Sequence, residues 1–154
     1  MEVQYLLFIC LLSGSVVASQ AFSYIIALRN VQENLSAPAY IELRHLTDRN
    51  FRRKYPYVLY VSLLGNCLLA AWCAINIKSL LFSMALLACI CSFADLWLTL
   101  KGNMPINNRV NTWRTDDYPA DWQHYRDRWL YIFRWRQLAM ITGLLALLTA
   151  ALFA

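Results

Sequence analysis

Asp95 is the only acid inside the apolar run from Ser79 to Leu100. A charge within a membrane-length segment is costly, about 2.5–3.5 kcal/mol at the centre on insertion scales, and it normally faces other protein groups. Asp95 sits five residues before the end of that run, at a depth of roughly 8 Å for a rise of about 1.5 Å per residue. Two cations, Arg134 and Arg136, lie at similar depth in the last apolar run and are its candidate partners. An ion pair would keep both groups charged and lower the cost of burial. Gln20 and Tyr24, four apart and so on one helix face, add polar groups from the first run, and Asn66 adds one from the second. Past the end of the Asp95 run come three amides and a guanidinium, Asn103, Asn107, Asn108 and Arg109. All these groups fall toward one side of the layer, which predicts a polar pocket there. Two readings stand side by side: a ligand pocket, or polar joints between helices contributing about 0.6 kcal/mol each. Arg134 could also reach back to the surface along its own stem.

A second kind of chemistry is suggested by the histidines. Each follows an acid by three residues, in Glu42-Leu43-Arg44-His45 and Asp121-Trp122-Gln123-His124. Carboxylate and imidazole at that spacing share a helix face, and the pattern on two helices is how four-helix bundles build carboxylate-bridged metal sites. Glu42, His45, Asp121 and His124 are therefore candidate metal ligands, weighed against solvated surface pairs in charged stretches.

The elements that must position these groups are four long apolar runs, at about 3–28, 57–77, 79–100 and 129–154. Each is long enough for a helix to cross a hydrocarbon layer of about 30 Å. Only Lys78 separates the second from the third, which requires a tight antiparallel hairpin. Between the first two runs, Ala39 to Lys54 lacks glycine and proline and carries a ragged apolar stripe, which predicts a short helix at the membrane interface. Pro56 should open the second span, Gly102 and Pro105 should end the third helix, and Pro119 should start the last. The expected architecture is all-α, one integral membrane domain over 1–154: a four-helix bundle with a polar cap.

Composition excludes other classes. The chain is 60% hydrophobic and 15% charged, against about 25% charged in soluble domains. Its net charge of +5 is explained by topology, since 13 of the 14 Lys and Arg lie on the side opposite Lys78. The positive-inside rule then predicts cytoplasmic polar segments and both termini outside, as in a bacterial inner membrane. No nucleic-acid signature is present. The five cysteines all lie in apolar runs without a metal-binding spacing and read as small core residues. Partners are the lipid bilayer and an apolar small molecule, with homo-oligomerisation left open. A transporter is a poor match because there is no internal repeat.

The run Gly102-Asn103-Met104-Pro105-Ile106-Asn107-Asn108-Arg109 resembles the anthrone oxygenase-like family of small four-span membrane proteins. That family has a Gly-Asn-x-Pro-hydrophobic-Asn-x-Arg run after its third span, then a tryptophan-rich segment and an arginine in the last span. Trp122, Trp129 and Arg136 look like that second part, whereas Phe133 and Arg134 stand where the family often has an asparagine. The resemblance implies oxidation of a polyketide anthrone or similar phenolic to a quinone by dioxygen. It carries over Asn103, Asn107, Arg109, Trp129 and Arg136 as site residues. Amides and an arginine would stabilise the electron-rich oxyanion, with Asp95 or a histidine taking the proton. The cofactor stays open between none and a metal.

Overall fold

The computed structural model describes residues 2–77 and 79–154 and forms an all-α four-helix bundle. Lys78, the residue on which the expected hairpin turns, lies outside the described residues. The helices are α1 (Val3–Asn34), α2 (Ala37–Cys73), α3 (Leu80–Val110) and α4 (Trp122–Phe153), each long and apolar enough to cross a membrane. The protein is thus a multi-pass integral membrane protein. Large apolar side chains such as Leu12, Leu64, Leu68, Ile90, Leu145 and Leu152 face outward, as lipid requires. The termini and the α2–α3 connection share one end, where Val3, Cys73, Ser79 and Ala154 border a common surface groove. The α1–α2 and α3–α4 connections form the other, polar end.

Polar segments turn out to be helix extensions. The helix expected over Ala39 to Lys54 is present, and it continues through Pro56 without a break into the second span. Only Leu35 and Ser36 separate α1 from α2. Likewise α3 does not stop at Gly102 and Pro105. It widens into a π turn over Thr99–Asn103, where Met104 N–H donates to the Thr99 carbonyl, and resumes as Met104–Val110. Pro105 falls at the start of the resumed segment, where a missing N–H costs least, and the wide turn ahead of it accommodates the ring. A second π turn, Tyr24–Leu28, lies in α1. The last helix begins at Trp122, three residues beyond Pro119, whose carbonyl accepts from Trp122 N–H.

Two different cores stack along the bundle. Toward the termini, Cys10, Ala85, Ala88, Cys89 and Ala146 pack with Leu69 and Leu147. Small residues let helices approach closely in lipid: a Cβ on Gly65 would lie 3.1 Å from Cys10 Sγ. All five cysteines are free thiols. Toward the polar end the core is aromatic, with Tyr24, Tyr40, Trp113, Trp129 and Phe133. Phe133 stacks on Trp129 at 4.9 Å between ring centroids and meets Tyr24 at 4.4 Å.

Candidate functional site

Because α3 remains helical through the amide-rich run, Asn103, Asn107 and Asn111 recur every fourth residue and share one face. That face meets α2 and α4. Asn107 Oδ1 accepts from the Trp129 indole Nε1 at 2.8 Å and from Arg44 Nη2, while its Nδ2 donates to Asp48 Oδ1 at 3.1 Å. Asp48 Oδ2 takes Asn111 Nδ2 and Arg52 Nε, both at 2.6 Å. The Arg44 guanidinium lies 4.2 Å above the Trp129 ring. One turn nearer the membrane centre, Asn103 donates to the Trp129 carbonyl at 3.0 Å and accepts from Arg136 Nη1 at 3.2 Å. Arg136 Nε in turn donates to Asp95 Oδ1 at 2.7 Å. The amides are thus tied on both ends, and what they hold is the position of Trp129 and of two arginines.

Between these groups lies a cavity of about 250 Å³ to which all four helices contribute. Gln20 and Tyr24 line it from α1. Arg44, Asp48, Phe51, Arg52 and Tyr55 line it from α2, Thr99, Asn103, Met104 and Asn107 from α3, and Trp129 and Arg136 from α4. Tyr24 opens the first π turn and Asn103 ends the second, so both widened turns deliver a side chain to the cavity, as such turns commonly do at functional sites. Three lining residues keep a buried polar atom without a hydrogen bond: Gln20 Oε1, Arg44 Nε and Tyr55 Oη. Phe51 and Arg52 are exposed and lie at the mouth.

Several expectations meet this geometry. Asp95 is 2% exposed and faces the bundle interior, and of its two candidate partners Arg136 holds it. Gln20, Tyr24, Asn103, Asn107, Trp129 and Arg136 gather around the cavity. Asp95 itself stands behind Arg136 and borders a small separate void, along with Asn66. Asn66 belongs elsewhere: it donates to Ser92 Oγ at 2.8 Å, a joint between α2 and α3. Arg109 does not enter the site. Two residues beyond Asn107, it is turned about 200° around the helix and is exposed. The same geometry takes Arg134 away from Arg136 into an outer groove beside Arg29, Glu33 and Asp127.

The four candidate metal ligands are not gathered into one cluster. Among the described residues, no three His, Cys, Asp or Glu side chains are gathered as ligands. Glu42, Asp121 and His124 are exposed, and His45 Nε2 meets the Val110 carbonyl at 3.1 Å. The acid-x-x-His spacing arises on the outer surface of the polar end, where charged residues face water.

Arg44, Arg52 and Tyr55 are not among the sequence candidates, yet with Asp48 they form one wall. Their signal was the spacing Arg44, Asp48, Arg52, each four apart on one helix face, in a segment read as lying flat on the membrane. Compared with protein-family models, with curated proteins and with solved structures, the chain matches none.

Proposed function

We propose that the protein is a membrane oxidoreductase that binds an apolar aromatic, anthrone-like or phenolic, in the cavity between the four helices and oxidises it with dioxygen. The observation that carries the reading is the cavity itself: about 250 Å³, walled by Trp129, Tyr24 and Phe51, with Gln20 Oε1, Arg44 Nε and Tyr55 Oη unpartnered. An apolar enclosure with a few convergent polar atoms is the usual form of a small-molecule site. The resemblance around residues 102–136 supplies the reaction class. In that reaction dioxygen removes both methylene hydrogens of an anthrone. One oxygen atom becomes the new quinone carbonyl and the other leaves as water.

Arg44 and Tyr55 are the donors free to stabilise the oxyanion that reacts with oxygen. Asn103 and Asn107 are positioning residues, since both hold Trp129 and an arginine. Asp95 fixes Arg136. The polar end faces the cytoplasm of a bacterial inner membrane in this reading, with both termini outside.

A non-catalytic binding role is the second reading. It is favoured by the carboxylates: Asp48 is engaged by three donors and Asp95 stands outside the cavity, so neither is poised there as a base. Detergent-purified protein given anthrone under air separates the two. Quinone absorbance rising with matched oxygen uptake above a protein-free micelle blank supports the enzyme, with Arg44→Met at least about tenfold slower and Arg109→Met unchanged. Anthrone binding without oxygen uptake assigns the second reading, and neither binding nor turnover overturns both.

A further inference from the structure

Five charged side chains belong to the cavity wall and its support: Arg44, Arg52 and Arg136 against Asp48 and Asp95. Arg136 is neutralised by Asp95, and Arg52 by Asp48. Arg44 is left. It is 3% exposed and forms no ion pair among the described residues. Asp48, one turn along the same helix, directs both oxygens to Asn107, Asn111 and Arg52 instead. What Arg44 does have is an amide oxygen at one nitrogen, the neutral Tyr24 hydroxyl beside it and the face of Trp129, with its Nε unpartnered. A ring face offsets part of a cation's desolvation but does not balance its charge. A buried cation lacking a counter-ion is a costly arrangement.

We infer that the cavity selects a monoanionic aromatic ligand, a carboxylate or a phenolate, whose charge meets the Arg44 guanidinium. This rests on the reading of the cavity as a binding site, and it adds the charge state of what binds. A neutral ligand leaves Arg44 uncompensated, and a dianion exceeds the single unmatched charge. The aromatic body lies along Phe51 and the edge of Trp129, whose ring already carries Arg44 and Phe133, and Gln20 Oε1 accepts from a hydroxyl or amide donor on the ligand.

The test uses the full chain in detergent, with protein-free micelles subtracted. One pair of probes is 9-anthracenecarboxylate and its neutral carboxamide. The other is 2,4-dinitrophenolate and its neutral methyl ether. A hydrogen bond to a charged partner distinguishes each pair, so the anion of at least one pair should bind about tenfold or more tighter than its neutral partner. Which pair shows the larger ratio tells carboxylate from phenolate. Arg44→Met should erase that preference, whereas Arg44→Lys, keeping the charge, should retain part of it. Equal binding within both pairs overturns the inference and leaves the binding reading standing. Binding of none of the four overturns both. Anion preference surviving in Arg44→Met also overturns it. Should that variant not fold, the wild-type ratios and Arg44→Lys still decide.

Discussion

Asp95 and Arg136 are 2% and 4% exposed and joined at 2.7 Å. A pair so enclosed is held together more by the cost of separating it than by net attraction. Removing one partner strands a charge, while replacing both with apolar residues removes the problem. Asp95→Leu is expected to lower stability by about 3–5 kcal/mol, and Asp95→Leu with Arg136→Leu to recover most of that loss. Denaturant unfolding of the detergent-solubilised variants measures it, and a double variant no better than the single one contradicts the account. At the same scale the sequence was informative about Asp95, whose isolation in an apolar run demands a partner. It could not choose between Arg134 and Arg136, because that choice depends on the rotation of α4 about its own axis. Arg44 was illegible as a site residue for a related reason. In a charged stretch, burial of one arginine among several is decided only by which face meets the bundle.

At the scale of the element, α3 is the informative case. Gly102 and Pro105, nine and six residues before Asn111, suggest a loop, but the π turn absorbs Pro105 and the helix carries Asn103 and Asn107 on one face. Gly102 has a further role at this turn. A Cβ there would lie 2.6 Å from Ile132 Cγ2 on α4, closer than packed atoms come. Gly102→Ala should therefore force α3 and α4 apart, at a cost of about 1–3 kcal/mol. Ile132→Ala in the same chain removes the obstructing methyl and should restore part of the loss. Thermal unfolding of the single and double variants reads both effects, and an unaffected Gly102→Ala would refute the close approach. Proline at residue 56 teaches the same lesson in α2: local chemistry marked a boundary, and packing carried the helix through it.

For the whole molecule, the charge asymmetry makes a topological prediction. The polar end carries 13 of the 14 Lys and Arg, so it should face the cytoplasm. A phosphatase active only outside the membrane should be active when fused after Ala154 and inactive when inserted at Asp116. The reverse pattern would invert the orientation. The two stacked cores give this orientation a functional sense. The small-residue half toward the termini is tightly packed, and the aromatic half toward the polar end holds the cavity and its mouth at Phe51 and Arg52.

Four apolar runs, one enclosed acid and a one-sided distribution of amides and bases determined by themselves that this is a membrane bundle with its hydrophilic groups at one end. Those features follow from transfer free energy, which depends on residue type and on the length of a run, and both are written in the chain. The partner of Asp95, the exclusion of Arg109 and Arg134, and the entry of Arg44 into the wall were decided only by tertiary structure. Each depends on the rotation of a helix about its own axis, which is set by how four surfaces pack together.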